Sequence, residues 1–182
     1  MENETLIRVG LFSICFLMLL LIEWRSPLVR YRDVWTINRC TNILFLLSTV
    51  GTSRLLISMS AVSAAIFAQS NGFGFFNVFP VHAGVSFIIT LIVLDFLIYL
   101  QHVIMHLVPF LWRFHQIHHA DERLDTTTGF RFHPGEIFFS AVYKWLIVFL
   151  LGPSIVAVVV FEIILNSFSL FTHSNSKLLS RY

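Results

Sequence analysis

One stretch of the sequence decides the fold, and it reads VHAGVSFIITLIVLDFLIYL over residues 81–100. This run is apolar almost throughout, and it has the length of about 20 residues that a helix needs to cross a bilayer. Hydrophobic residues make up 57% of the whole chain and charged residues only 12%. Because a soluble domain carries about a quarter charged residues, we predict an integral membrane protein.

Three further apolar stretches complete the predicted membrane domain. Residues 6–22 form an uncleaved first span, and residues 43–68 form a second span that is interrupted by polar residues around Arg54. Residues 137–171 are too long for one upright span and contain a Gly-Pro pair at 152–153, where proline interrupts a helix. We therefore predict an all-α integral membrane protein, with three spans, a C-terminal helical hairpin and histidine-rich helices on the cytosolic side.

The distribution of arginine sets the predicted orientation. Residues 23–39 and 101–136 each contain several arginines, whereas residues 69–80 contain no charged residue. Cytoplasmic segments are enriched in Lys and Arg, so we place the first two segments on the cytoplasmic side. His82, at the opposite end of the third span, is interpreted as an interfacial histidine and not as a metal ligand.

Histidines are concentrated directly after the third span. The chain has eight, and five of them fall between positions 102 and 119. His102 and His106 are four residues apart, and His115, His118 and His119 are spaced i, i+3 and i+4, so each group shares one helical face. Packing has no need of such a cluster, and imidazole is a ligand that suits iron, zinc and copper. The pattern therefore predicts a metal site.

Two more residues are candidates through helical spacing. Asp95 lies seven residues before His102 on the same face, and it is predicted to accept a hydrogen bond from the other ring nitrogen of a ligand histidine. A helix-pairing contact is the alternative for this acidic group within the membrane. His173 shares a face with Glu162 and Asn166 if the last helix reaches it, which makes it a candidate ligand.

A second motif, Arg-Phe-His-Pro-Gly-Glu at residues 131–136, precedes the last apolar stretch. His133 is a further candidate ligand. Pro134 suits the first position of the following helix. Glu136 would then lie near the positive end of that helix, and we interpret it as a capping residue.

Taken together, these residues resemble the fatty acid hydroxylase superfamily, also called the sterol desaturase family. The matching elements are Asp95 with the HxxxH group, then residues 111–119, 131–136 and 166–175. The resemblance extends over about residues 94–175, and it divides the chain into N-terminal transmembrane helices, residues 1–80, and a hydroxylase-like domain, residues 81–182.

What the resemblance implies is a multi-pass oxidoreductase with two iron ions, or zinc as a substitute, on the cytosolic side. It would use O2 to oxidise a C–H bond of a lipid from the bilayer, by hydroxylation, desaturation or ether cleavage. Asp95 would belong to the catalytic machinery, and seven residues would bind metal: His102, His106, His115, His118, His119, His133 and His173.

The resemblance also implies redox partners. Electrons would come from cytochrome b5 or a ferredoxin with a reductase, and the net charge of +2 gives no reason to expect nucleic acid as a partner. The compact form of the chain, without a retrieval signal, favours a bacterial inner membrane, with the endoplasmic reticulum membrane as the alternative. Sterol, fatty acyl, alkylglycerol and carotenoid substrates all remain open.

One departure from the family pattern affects the expected activity. A third histidine box, HxxHH, normally follows the His-Ser-Asn element, and the sequence does not contain it. We therefore expect a C-terminally truncated version with low or no oxidase activity on its own. Two other functions stay open: a non-catalytic metal-binding protein or subunit completed by a partner, and a transporter with a polar path through Asp95, Arg54 and Glu162.

Overall fold

The computed structural model describes residues 2–30 and 37–177, and most of these residues are helical. The eight α-helices of this part are α1 Glu2–Arg25, α2 Ile37–Leu55, α3 Ala61–Ser70, α4 Phe75–Val78, α5 Ala83–Leu107, α6 Pro109–His119, α7 Pro134–Leu151 and α8 Ile155–His173. The described residues contain no β-strand, and one isolated bridge joins Pro27 to Ser176. The all-α prediction is confirmed. Residues 31–36 of the predicted cytoplasmic segment lie outside the described residues.

Four of the described helices are long and apolar enough to cross a membrane. They are Leu6–Arg25 of α1, all of α5, all of α7 and all of α8. The predicted hairpin is present. Gly152, directly after α7, adopts a left-handed conformation with φ of 65°, and Ser154 caps the start of α8. The first span, the third span and both arms of the hairpin therefore appear as predicted.

The predicted second span, residues 43–68 with an interruption around Arg54, is not among the candidate spans of the described residues. Its residues form α2, a short 3-10 turn at Ile57–Met59 and the ten-residue α3, and neither helix is among the candidate spans. The Ser60 side chain accepts a hydrogen bond from the backbone N–H of Ser63, which starts a new helix as serine does at N-cap positions. Local hydrogen bonding by serine therefore divides this stretch.

Together, α2 and α3 still lead the chain from one end of the bundle to the other. Arg39 Nε donates to Asp125 at 2.7 Å near the histidines, whereas Gln69 Nε2 donates to the Pro153 carbonyl at 3.3 Å at the opposite end. The helix α3 lies against α7 and α8. Its alanines 61, 64, 65 and 68 are all buried, and such small residues allow helices to approach closely in membranes.

A buried polar network fixes the loop that follows the histidines of α6. Asp121 Oδ2 accepts hydrogen bonds from Asn42 Nδ2 at 2.9 Å and from Thr128 Oγ1 at 2.8 Å. Glu23, near the end of α1, accepts from the backbone N–H of Thr126 at 2.7 Å. Because buried polar groups are stable only when they are hydrogen-bonded, this network ties the loop to α1 and α2.

At the other end of the bundle, two glycines bring backbones into contact. Gly74 has φ of 99° and Gly152 has φ of 65°. A Cβ atom on Gly152 would lie 2.6 Å from Asn77 Nδ2 and 2.9 Å from the Phe73 carbonyl oxygen. Only glycine combines this conformation with this proximity at low cost.

We predict that Gly152→Ala lowers the free energy of unfolding by about 2 kcal/mol or more, because the substitution adds left-handed strain and steric overlap. Thermal denaturation of the purified protein in detergent measures the loss. Gly51→Ala is the control, since a Cβ there meets nothing within 4 Å and alanine favours the helix. Equal melting temperatures for the two variants would contradict this prediction.

Candidate metal centre

The two histidine groups face each other because the chain turns sharply between α5 and α6. A single residue, Val108, separates the helices, and Pro109 occupies the first turn of α6. Proline cannot extend α5, but its fixed φ suits the start of a helix. As a result, the ring centroids of His102 and His115 are 4.6 Å apart, and those of His106 and His119 are 4.7 Å apart.

Four imidazoles converge on one point. His102, His106, His115 and His119 each offer a ring nitrogen, and these atoms all lie within 4.8 Å of one another. The Nε2 atoms of His102 and His106 are 3.1 Å apart, and those of His115 and His119 are 3.0 Å apart. Two nitrogens that bind one ion at about 2.1 Å and at a right angle to each other lie about 3.0 Å apart. The spacing therefore suits shared coordination.

A second pair of histidines adjoins this group. His118 Nε2 lies 3.0 Å from His173 Nε2, so the end of α8 reaches α6 as the sequence predicted. The His173 Nδ1 lies 2.6 Å from the Ser169 carbonyl, and because a carbonyl only accepts, Nδ1 carries the hydrogen and Nε2 presents its lone pair. The His118 ring is stacked on Phe132, with centroids 4.7 Å apart, which holds its orientation.

The carboxylate of Glu136 is a hydrogen-bond partner of one of the clustered histidines. Its Oε1 accepts a hydrogen bond from His115 Nδ1 at 2.8 Å, and the two residues are 4% and 1% exposed. Such a carboxylate fixes the histidine tautomer and directs the other nitrogen, Nε2, to a metal. Glu136 lies in the first turn of α7, as predicted. The contact with His115 was not predicted, because nothing in the sequence links Glu136 to a residue 21 positions earlier.

A family comparison agrees with this geometry. The model of the fatty acid hydroxylase family matches residues 87–182, which is more than half of the chain. The chain belongs to the fatty acid hydroxylase family. No curated protein and no solved structure gave a significant match. Membership implies a lipid-modifying oxidoreductase, and the four-histidine group is compatible with the iron that this family uses.

Two of the predicted site residues lie apart from the clustered imidazoles. His133 Nδ1 accepts a hydrogen bond from the Gly135 N–H at 3.0 Å, so His133 caps α7 and is not one of the four convergent residues. Asp95 is exposed, and no hydrogen bond or ion pair joins it to the described residues. Seven helical residues span about 10.5 Å, too far for Asp95 to reach His102.

The pKa values of two of the clustered histidines are lowered. Burial, followed by the effects of His173 and His115, lowers the pKa of His118 to about 3. Burial and the neighbouring His115 also lower the pKa of His119. Metal binding requires neutral imidazole, so the lowered pKa values favour the form of both rings that binds metal.

A cavity of about 730 Å³ opens onto the histidines of the centre. His115, His118 and His173 line one end of it, and Lys144 and Glu162 lie farther along its wall. Most of the remaining lining is apolar, as a pocket for a lipid chain requires.

The polar path considered for a transporter is not formed by the described residues. Arg54 and Asp95 are exposed on the outside of the bundle, and neither lines the cavity. Glu162 is 8% exposed, and it pairs with Arg8 and Lys144. These three predicted path residues therefore face different environments.

We predict that Glu136→Gln weakens metal binding about 10- to 100-fold, as loss of a carboxylate partner does at other histidine-metal sites. The measurement is the metal content after dialysis against graded chelator concentrations. Glu122→Gln is the matched control because Glu122 is exposed. Retention of metal by the Glu136 variant at the control level would show that the carboxylate has no role in binding.

Proposed function

We propose that this protein is a membrane-bound, oxygen-dependent di-iron oxidoreductase that hydroxylates or desaturates a lipid chain. The observation that carries the proposal is the convergence of six imidazoles in two adjoining groups, four of which line an apolar cavity: His102, His115, His118 and His173. Family membership supports oxidation of a lipid. The di-iron state, the use of O2 and the ligand set belong to the proposal.

The residues present fit iron. One ion would be held by the four-histidine group, and a second by His118 and His173, which leave room for other ligands. All six donors are imidazole nitrogens, which suit iron. Glu136 beneath His115 is the hydrogen-bond partner that such ligands have at metal sites.

The protein would contribute orientation and exclusion of water. Glu136 holds His115 in the tautomer that presents Nε2, and Ser169 does the same for His173. The apolar cavity wall would hold the lipid chain and keep water from the reacting carbon. Iron bound there would supply the oxidation, in which the lipid C–H bond, O2, two electrons and two protons give an alcohol and water. Cytochrome b5 or a ferredoxin would deliver the electrons.

A second function is favoured by one specific observation. His102, His106 and His119 are exposed, so the four-histidine group is open on one side. An open site fits a non-catalytic metal-binding protein, or a subunit whose site a partner completes. This alternative retains metal binding but not oxidation by the chain alone.

Metal content and isotope incorporation separate these functions. The chain is purified in lipid nanodiscs, loaded with Fe(II) and supplied with a reductase system, ¹⁸O2 and mixed lipids; lipid products are analysed by mass spectrometry. If the oxidoreductase is complete, we expect two iron ions per chain and one ¹⁸O per hydroxylated lipid, both lost in His115→Ala. Metal binding without product supports the open-site alternative, and absence of metal binding at saturating iron overturns both.

We also propose that the centre faces the cytoplasm. Described arginines are concentrated at the histidine end of the bundle, namely Arg25, Arg30, Arg39, Arg113, Arg123 and Arg131. Residues 69–82 and 151–154, at the opposite end, contain no charged side chain. The positive-inside rule then supports a cytoplasmic centre.

Cys40 gives a direct test of this orientation, because it is exposed and lies in the first turn of α2. In a Cys15→Ser background, we expect a membrane-impermeant maleimide to label Cys40 in inside-out vesicles but not in right-side-out vesicles. Val78→Cys, introduced at the opposite end into a background without other cysteines, should show the reverse pattern. Labelling of Cys40 in right-side-out vesicles would place the centre on the other side.

A further inference from the structure

The last helix ends at the histidine that it brings to the metal centre. His173 is the final residue of α8, and Ser174 after it is extended, with ψ of 136°. Helix ends fray because their last carbonyls have no partners within the helix. His173 is nevertheless placed with its Nε2 3.0 Å from His118 Nε2. Contacts from outside α8 hold this end, and they come from the segment that follows α1.

The segments that follow α1 and α8 pair with each other. Residues 26–29 and 174–177 run antiparallel and are joined by two backbone hydrogen bonds of 3.1 Å. The Asn175 side chain adds two bonds to the backbone of Val29: its Oδ1 accepts from the N–H at 2.9 Å, and its Nδ2 donates to the carbonyl at 2.8 Å. We call these two paired segments the clamp.

One carboxylate oxygen of α1 joins the clamp to the loop that follows α6. Glu23 Oε1 accepts a hydrogen bond from the backbone N–H of Asn175 at 2.6 Å and another from that of Thr126 at 2.7 Å. Asn175 comes two residues after His173, and Thr126 lies in the loop after the helix that carries His118. Glu23 is 6% exposed, and hydrogen bonds to a carboxylate are stronger than those between neutral groups. Glu23 therefore connects the segments that follow the two histidines.

The rest of α1 is held against the bundle by different contacts. Phe12 and Phe16 lie against Phe130, with ring centroids 5.8 Å and 5.1 Å apart. Leu19 is buried in the same apolar cluster. None of these contacts involves the clamp or its carboxylate partner. Loss of the clamp should therefore free the end of α8 without releasing α1 from the bundle.

We propose that Glu23 and Asn175 are positioning residues for the pair formed by His118 and His173. The first of them lies in α1, which the family match over residues 87–182 does not include. The placement of His173 follows from the contacts, whereas its effect on a second metal ion rests on the proposed function. Without the clamp, His173 would lie beside His118 for only part of the time, and apparent metal affinity falls with the competent fraction.

The first test measures the position of the end of α8 in the metal-free protein, so that its outcome is independent of metal binding. Spin labels are attached in nanodiscs through ketone-bearing amino acids encoded at positions 116 and 172, because Gln116 on α6 and Thr172 on α8 are exposed. Pulsed electron paramagnetic resonance then gives the distribution of distances between the ends of the two helices. We expect a single narrow distribution when the clamp is intact.

Variants of the clamp should broaden this distribution. Glu23→Ala removes the shared acceptor, and Asn175→Ala removes both side-chain bonds to the facing segment. Glu122→Ala and Asn71→Ala are the matched controls, because both residues are exposed and lie outside the clamp, and they should keep the narrow distribution. Unchanged distributions in both clamp variants would overturn the proposal.

A covalent clamp separates positioning from a general loss of stability. The bridge between Pro27 and Ser176 is a non-hydrogen-bonded antiparallel pair, because the two backbone bonds flank it. Cα atoms in such pairs lie about 4.5 Å apart, a separation that a disulfide spans. With Cys15 and Cys40 replaced by serine, Pro27→Cys/Ser176→Cys in the Glu23→Ala protein should restore the narrow distribution when oxidised and lose it on reduction. A broad distribution in the oxidised protein would overturn the positioning role.

Metal titration gives a readout that general destabilisation would not produce. Zn(II), which imidazole also binds, is titrated into the metal-free protein against a competing chelator. We expect Glu23→Ala and Asn175→Ala to weaken binding of the second ion about 10- to 100-fold, as loss of hydrogen bonds to a charged group allows, and to leave the ion of the four-histidine group unchanged. Equal weakening of both ions would overturn the local role. Binding of a single ion by wild type would refute the second site of the proposed function, and the label distances would still decide the positioning.

Discussion

The hydrogen bond between His115 and Glu136 is the contact on which the metal centre depends. It joins α6, which carries three histidines, to the first turn of α7, and both partners are almost fully buried. Removing either partner would leave a buried polar group unsatisfied, at a cost of about 1–3 kcal/mol. The bond therefore sets the ring orientation at the centre and also positions the membrane hairpin whose second arm delivers His173.

Hydropathy was sufficient for the parts of the fold that face lipid. The first span, the third span and the hairpin with its Gly-Pro corner were predicted because the bilayer sets both length and composition of a crossing helix. The structure of residues 43–68 depends instead on contacts within the protein. Their alanines are buried against other helices, and Ser60 starts a new helix by capping it, so neighbours within the protein and not lipid decided their structure.

Periodicity found the histidines that share helical faces, because residues four apart on one helix are neighbours whatever the tertiary structure. It could not show which residues from distant segments meet them. Two contacts illustrate this: His133 Nδ1 caps α7, and Glu136, which was predicted only as a capping residue, accepts a hydrogen bond from His115. Asp95 and His102 share a helical face, but two turns of the helix separate them along its axis. A helical wheel shows only the shared face and not this axial distance.

The sharp turn at Val108 and Pro109 has a consequence for assembly. The four convergent imidazoles come from 18 consecutive residues, 102–119, so closing that group around an ion loses little chain entropy. The contact between His118 and His173 spans 55 residues, and it exists only after the hairpin has inserted. Metal binding would thus be divided into a local step that is open to a nascent chain and a later step that requires completed folding.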